Sequence, residues 1–285
     1  MARYRRIESE SSDGCWTLIR KEPEPANARW IVGIEGYEEA HGSPVVRREL
    51  PSAIIPVILV LDEGFSLHDE HGSVRSLERS FTAGLTSNHV LIGSHGKATC
   101  LQINLTPQGA RRLFRIDMQE IAGRVVDLEE ILGAEIEILV DRLANMPGWA
   151  QRLDHLESVV AEKIAAGFAD SALAAAAGKA IVNSKGAVSI VGLAGDLGVS
   201  RKHLHRRFRQ DFGLAPKAFA RIVRFQSALG WLEHGGWTSL ADLAVACGYA
   251  DQAHFNRDFR AFSGVSPGSL LVQRLPDGSV GTTGT

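Results

Sequence analysis

The sequence predicts an α+β protein, with an antiparallel β-rich N-terminal domain and flanking helices followed by an all-α C-terminal domain. Three observations lead to this expectation. Short β-branched runs separated by glycine and proline fill the first ~106 residues, which is typical of a small antiparallel sheet or barrel. After Pro107, apolar residues recur at helical spacing. Beyond residue 190, one residue pattern occurs twice, which indicates a single structural unit used twice.

The charge is distributed unevenly along the 285 residues. The whole chain has a formal charge of −2, with 45% hydrophobic and 22% charged residues, an ordinary composition for a globular protein. Residues 179–275, however, contain 13 Lys and Arg against 6 Asp and Glu, whereas residues 1–178 contain 18 against 26. A basic C-terminal third on an acidic remainder predicts that only this third binds a polyanion.

Several classes of protein are excluded by the sequence. The longest apolar run, 53–61, is interrupted by Pro56 and is too short to span a membrane. Residues 7–13 are polar where a signal peptide needs an apolar stretch. Three cysteines lie far apart, which favours reduced thiols and no structural zinc: Cys15, Cys100 and Cys247. We therefore expect a soluble, cytoplasmic protein with no membrane partner.

The N-terminal strands are predicted from apolar runs bounded by turn-forming residues. Four runs fit this description: 30–34, 53–61, 90–93 and 99–105. Residues 94–97 form a turn-like sequence between the last two runs. The mouth of a small barrel is a common place for a ligand.

Helices are predicted after these strands. Pro107–Phe114 has proline in its first turn and Thr106 as N-cap, and apolar spacing continues through 128–132 and 134–143. A longer helix, 148–166, has one apolar side formed by Trp149, Leu153, Leu156, Val160 and Ile164. This side is interpreted either as core packing or as a dimer seam. Residues 165–185 contain few large apolar side chains, so a linker is placed at 167–180.

The repeat defines the C-terminal domain, 181–275. Leu193-Ala194 and Gly198 recur fifty residues later as Leu243-Ala244 and Gly248. Further members recur fifty-one residues later: Leu204 as Phe255, Arg206 as Arg257, Phe208 as Phe259, Arg209 as Arg260, Gly213 as Gly264 and Pro216 as Pro267. The extra residue follows the glycine, where a turn tolerates an insertion.

Each copy predicts a helix-turn-helix. Gly198 suits a sharp turn, Ser200 suits the N-cap of a second helix, and Leu204 and Phe208 face inward one turn apart. Asp251 is the corresponding cap in the second copy. The copies are joined by a predicted amphipathic helix from Pro216 to Leu229. At ~14–18 residues this helix spans ~21–27 Å, which allows two recognition helices to reach successive major grooves ~34 Å apart.

These residues resemble the AraC/XylS family of transcriptional regulators. The resemblance covers Val188 to Leu271, and its most specific part is Gly248-Tyr249, Phe255, Phe259 and Gly264-Val265-Ser266-Pro267. It implies a cupin-like N-terminal sensor or dimerisation domain over 1–166, β-rich to 106 and helical from 107. Residues 276–285 are expected to be a disordered tail.

The resemblance, together with the chemistry of the outward side chains, predicts the DNA contacts. The expected base-contacting residues are Lys202, His205, Arg206, Gln252, Ala253 and Arg257. The expected phosphate-contacting residues are Arg201, Arg207, Arg209, Arg221, Arg224 and Arg260. Double-stranded DNA is the predicted partner, with RNA polymerase, a small-molecule effector and a second copy of the chain as further candidates.

No catalytic residue, metal ligand or cofactor site is predicted, and the chain is expected not to be an enzyme. His68-Asp69-Glu70-His71 is interpreted as a solvated turn, and His89 and His95 as ordinary core or surface residues. Two alternatives stay open. One is a cupin-like metal-binding enzyme or sensor with a DNA-binding tail, and the other is a non-specific architectural DNA-binding protein.

Overall fold

The computed structural model describes residues 3–11, 14–41, 43–69, 72–235, 237–273 and 280–281. Its N-terminal part consists of two antiparallel sheets, as the sequence predicts. The strands are β1 (Tyr4–Ser11), β2 (Gly14–Lys21), β3 (Ile31–His41), β4 (Val45–Glu49), β5 (Ile55–Val60), β6 (Phe65–His68), β7 (Val74–Leu77), β8 (Phe81–Ala83), β9 (Val90–Ser94), β10 (Lys97–Leu105), β11 (Val125–Asp127) and β12 (Val280–Gly281).

The two sheets pack face to face. The larger sheet has the order β1-β2-β3-β10-β5-β8-β11, and the smaller has the order β12-β4-β9-β6-β7. Phe65 of the smaller sheet meets Phe81 of the larger sheet edge-on, with 6.1 Å between ring centroids. Strands β9 and β10 lie in separate sheets. The predicted turn at 94–97 therefore connects the two sheets and does not join the two strands of a hairpin.

The predicted helices follow the sheets. The helices are α1 (Pro107–Phe114), α2 (Leu128–Leu132), α3 (Glu135–Ala144), α4 (Trp149–Ala165), α5 (Ala172–Asn183), α6 (Ile190–Asp196), α7 (Arg201–Phe212), α8 (Pro216–His234), α9 (Leu240–Ala246), α10 (Gln252–Ser263) and α11 (Pro267–Val272). The predicted N-cap of α1 is confirmed, since the Thr106 side chain accepts a hydrogen bond from the Gly109 N–H at 3.1 Å. Among the described residues, no helix is both long and apolar enough to cross a membrane.

The apolar side of α4 faces the core. Leu153, Leu156, Val160 and Ile164 are at most 4% exposed and belong to the same cluster as the larger sheet. Trp149 lies against Gly36 of β3, where a Cβ atom would come within 2.4 Å of the indole ring. The core interpretation of this stripe is therefore confirmed, and a dimer seam formed by these buried side chains is excluded.

The segment expected to be a linker, 167–180, contains most of helix α5. Ala174, Ala177 and Ile181 of this helix are completely buried, and Gly178 lies against the ring of Phe212. Small side chains thus permit close helix packing here, rather than preventing packing as the sequence suggested. At the other end of the chain, β12 pairs with β4 within the tail expected to be disordered. The remaining tail residues lie outside the described ranges.

One apolar core continues from the larger sheet through α1 and α4 into α5, α7 and the start of α8. A second core fills the unit built from α9 and α10, and Leu50 of the N-terminal domain packs against it. Both helix-turn-helix units are therefore supported by the N-terminal domain.

A buried ion cluster fixes the β1–β2 hairpin to α4. The Lys21 ammonium lies 2.5 Å from Asp154 and 2.6 Å from Glu157, and the side chains of Lys21 and Glu157 are almost fully buried. Glu157 also accepts hydrogen bonds from the Glu24 N–H at 2.6 Å and from Asn27 at 2.9 Å. Burial alone would raise the pKa of Glu157, but these donors outweigh burial, and the pKa lies below its ordinary value.

This cluster predicts a loss of stability in acid. A carboxylate whose pKa is lowered on folding contributes stability above its unfolded pKa, and that stability is lost as the pH falls. The free energy of unfolding should therefore decrease as the pH drops below about 4.5, the ordinary value for Glu157. Urea unfolding at a series of pH values would show this dependence.

A matched pair of variants tests the assignment. Glu157→Gln should flatten the pH dependence of the free energy of unfolding, whereas Glu137→Gln, at an exposed position on α3, should leave it unchanged. An equal pH dependence in the wild type and in Glu157→Gln would contradict the role of this cluster.

Candidate nucleic-acid interface

The first helix-turn-helix unit consists of α6 and α7. Gly198 adopts φ +66° in the turn between them, a conformation that glycine accepts without strain. The Ser200 hydroxyl caps α7 by accepting a hydrogen bond from the His203 N–H at 3.2 Å. Leu204 and Phe208 are completely buried. The predicted turn, cap and inward residues are therefore confirmed.

The second unit repeats this geometry in α9 and α10. Gly248 has φ +75°, and the Asp251 carboxylate accepts a hydrogen bond from the His254 N–H at 2.7 Å. Phe255 and Phe259 are completely buried, with 5.4 Å between their ring centroids. The structural equivalence inferred from the repeat thus holds from the turn to the core.

The base-contacting candidates lie on the outward faces of the two recognition helices. All six side chains are exposed: Lys202, His205 and Arg206 on α7, and Gln252, Ala253 and Arg257 on α10. The opposite face of each helix is held by its aromatic core. The structure thus leaves these positions accessible, and their contacts with bases stay a prediction.

The phosphate-contacting candidates fall into two groups. Arg201, Arg209 and Arg260 are exposed, and Arg207 is half-exposed beside Asp211 at 4.0 Å. The remaining two arginines make contacts inside the domain.

Arg221 and Arg224 are tied to neighbouring elements. Arg221 donates to the Asp258 carboxylate at 2.8 Å and stacks on Phe262. Arg224 donates to the Gly186 carbonyl at 2.7 Å and lies over Tyr249. These guanidinium groups join α8 to α10 and to the segment before α6, so their position gives them a structural role.

Two histidines were missed as candidates in the sequence. His203 and His254 occupy equivalent positions, each three residues before an arginine expected to contact a base. His203 Nδ1 lies 3.5 Å from Arg206 Nη2. The His254 imidazole lies 3.9 Å from Asp258. The fifty-one-residue offset of the repeat was the signal that could have identified them.

The connecting helix α8 is longer than predicted, with 19 residues. Phe219, Ile222, Val223 and Phe225 are buried on it, and they pack against both units. The helix ends at Gly235, which has φ +69°. Gly236, the second glycine of the predicted stop, lies outside the described residues.

A cavity of about 430 Å³ lies between the two sheets. Its lining includes apolar side chains of both sheets, among them Phe65, Phe81 and Ile92. The lining also includes polar groups that are already hydrogen-bonded to one another: Arg20 to Glu35 at 2.8 Å, Arg47 to Tyr37 at 2.8 Å, and Gln102 to Asn104 at 2.8 Å. Such a cavity suits a small molecule with a hydrogen-bonding end and an apolar body.

A buried carboxylate orients one cavity arginine. Glu39 is 1% exposed and accepts hydrogen bonds from Arg47 and from the Tyr37 hydroxyl, each at 2.6 Å. Burial alone would raise the pKa of Glu39, but the Arg47 guanidinium keeps it below the ordinary value. Glu39 is therefore a fixed negative charge that holds Arg47 in the cavity wall.

Strand β4 separates the cavity from the second helix-turn-helix unit. Arg47 and Glu49 line the cavity. Arg48, between them, donates a hydrogen bond to the Ser263 carbonyl at 2.7 Å. This follows from strand geometry, because successive side chains point to opposite faces.

The remaining histidines and cysteines singled out in the sequence lie at separate places in the fold. His68 is hydrogen-bonded to Ser66 at 2.8 Å, while Glu70 and His71 lie outside the described residues. Cys100 is buried in β10, and burial raises the pKa of its thiol to about 12. Cys247 is buried in the second unit, and Cys15 is exposed on β2.

Two helix-turn-helix units with equivalent turns, caps and cores define a double helix-turn-helix protein. Comparison with known families agrees, since a family model described as a helix-turn-helix domain matches residues 193–273. The C-terminal domain is a helix-turn-helix domain of the AraC/XylS type.

The curated relatives match part of the chain. The chain is 36% identical over 88 residues to the HTH-type transcriptional activator RhaS of Escherichia fergusonii, a match that covers 31% of each chain. It is 35% identical over 82 residues to RhaS of Klebsiella pneumoniae. The chain thus spans about a third of the length of the curated relatives it matches. Among solved structures, ToxT of Vibrio cholerae has a TM-score of 0.47 and 12% identity, covering 84% of this chain and 97% of that chain.

Proposed function

We propose that this chain is a sequence-specific DNA-binding transcription regulator whose two recognition helices enter adjacent major-groove segments of double-stranded DNA. One observation carries the proposal. The six outward side chains expected to contact bases are exposed at the start and middle of two equivalent helices. The excess of basic residues over 179–275 supplies the long-range attraction to a polyanion.

The side chains on each helix suit different bases. Arg206 and Arg257 can each donate two hydrogen bonds to guanine, and Gln252 can donate one hydrogen bond to adenine N7 and accept another from the adenine N6 amino group. Ala253 is small enough to contact a thymine methyl group. Lys202 and His205 complete the surface of the first unit.

We propose that the phosphate contacts are made by arginines whose guanidinium groups are exposed or half-exposed. We assign them to Arg201, Arg207, Arg209 and Arg260, which are exposed or half-exposed. Arg221 and Arg224 are better explained as supports for α8, because each already donates to an acceptor within the chain. Phosphate contacts fix the position of the protein on the duplex and carry no base preference themselves.

The N-terminal domain is proposed to bind a small-molecule effector in the cavity between its sheets. The cavity combines paired polar side chains with apolar ones, and β4 lies between it and the second unit. The relatives are described as activators, which favours activation, with RNA polymerase as a further partner in the cytoplasm. Binding of a second copy of the chain stays a prediction.

Selection from a pool of random duplexes tests the central proposal. The full-length chain should enrich one motif with two conserved segments, and should bind that motif at least ~10³-fold more tightly than random DNA at the same salt concentration. Similar affinities for the enriched and random duplexes would instead favour a non-specific architectural protein.

A further inference from the structure

The second recognition helix ends against the N-terminal domain. Arg48 of β4 donates a hydrogen bond from Nη1 to the carbonyl oxygen of Ser263, the last residue of α10, at 2.7 Å. Carbonyl groups in the last turn of a helix have no partner within that helix, and a cation there also faces the negative end of the helix dipole. Arg48 therefore caps α10 from another domain.

Further contacts surround this hydrogen bond. Gly264 packs against the ring of His89, and a Cβ atom at Gly264 would lie 2.6 Å from His89 Cε1. The Ala53 N–H donates to the Gln226 side chain of α8 at 3.2 Å. Together with Leu50, which packs against the core of the second unit, these groups hold that unit against β4, the loop after β4, and His89 just before β9.

The first unit has a separate attachment. Asp211, in the last turn of α7, is completely buried and lies 3.5 Å from the Arg111 guanidinium of α1. Its carboxylate also accepts a hydrogen bond from the Ser171 N–H at 3.1 Å. The C-terminal ends of both recognition helices are thus fixed to the N-terminal domain, while their outward faces stay exposed.

We propose that Arg48 is a positioning residue for DNA binding, which holds the second recognition helix at the place that the second DNA segment requires. The inference rests on the proposed function. With both helix ends fixed, the two units meet DNA in one arrangement, and binding loses little conformational freedom. Without the Arg48 cap, α8 still tethers the second unit, but its orientation on β4 is no longer fixed by this hydrogen bond.

The test compares two DNA duplexes. One is the motif selected by the wild-type chain, and the other has the segment contacted by the second unit replaced by unrelated sequence. Arg48→Met should weaken binding to the full motif about tenfold and binding to the shortened motif less than twofold. Arg48→Lys, which keeps a donor and a charge, should retain most of the affinity. Arg5→Met, at an exposed position of β1, is the matched control and should behave as wild type.

The selectivity for one DNA segment separates positioning from general destabilisation. Equal losses on both duplexes, no loss, or tighter binding by Arg48→Met would each overturn the inference. If circular dichroism shows that Arg48→Met is unfolded, Gln226→Met provides a second variant, because it removes the neighbouring hydrogen bond from the Ala53 N–H. It should give a smaller loss of affinity, confined to the full motif. A wild-type chain that selects no motif would contradict the proposed function itself, whereas a wild-type chain that selects one, with Arg48→Met unchanged, would contradict only the role of Arg48.

Discussion

Replacing Arg257 by alanine is expected to weaken binding to the selected DNA motif by about 1–3 kcal/mol, which corresponds to a roughly 5-fold to 150-fold rise in Kd. Arg257 is exposed on α10, and its equivalent Arg206 is exposed on α7. A guanidinium that donates two hydrogen bonds to guanine loses both when it is truncated, so the preference at that base pair should relax as well. Arg206→Ala should have the same effect at a different position of the motif.

The control separates base contacts from phosphate contacts. Arg260→Ala, on the same helix and also exposed, should weaken binding to all duplexes to a similar degree and make the salt dependence shallower. Titrations of the two variants against the motif and against duplexes with single base changes would measure both effects. An Arg257→Ala variant with unchanged affinity and an unchanged preferred sequence would refute the assignment.

Replacing Phe208 by alanine is expected to destabilise the C-terminal domain by about 3–5 kcal/mol. The Phe208 ring is completely buried and stacks on Phe212, with 4.0 Å between ring centroids and an interplanar angle of 10°. It also contacts Phe219 of α8, with 5.6 Å between centroids. The substitution leaves a cavity between the recognition helix and the connecting helix, so DNA binding should be lost together with stability.

Urea unfolding followed by circular dichroism would measure this effect. Phe168→Ala is a suitable control because Phe168 is 49% exposed, and it should cost less than about 1 kcal/mol. Phe259→Ala, the equivalent change in the second unit, should resemble Phe208→Ala. A loss of less than about 1 kcal/mol for Phe208→Ala would show that the repeat does not depend on its aromatic core.

The C-terminal fold could be predicted because its signals are local. Gly198 and Gly248 occupy turns with positive φ, and Ser200 and Asp251 cap the helices that follow. Each of these residues acts within a few positions of itself, so the sequence pattern alone is sufficient. The repeat then supplies an independent check, because every local feature must occur twice.

Much of the N-terminal domain could not be predicted for the opposite reason. Strand β1 contains four charged residues and only two apolar or aromatic ones, and β4 contains two arginines and a glutamate. In β4, Arg47 and Glu49 line the cavity and Arg48 contacts the second unit, so the apolar alternation that marks a strand is missing. Arg48 contacts Ser263 and Arg111 contacts Asp211, and each partner lies at least 100 residues away in the sequence. Residue spacing within a helix or strand therefore cannot predict either contact.

In the proposed complex, the two units contact adjacent turns of one DNA duplex at a fixed separation. Insertion of about five base pairs between the two segments of the selected motif rotates one segment by half a helical turn while both sequences stay intact. We predict that this insertion lowers the affinity to that of a duplex with a single segment. An insertion of about ten base pairs should not restore the affinity for the original motif, because α8 is a single rigid helix that fixes the distance between the two units. Binding of the lengthened duplexes with undiminished affinity would show that the two units are not held at a fixed separation.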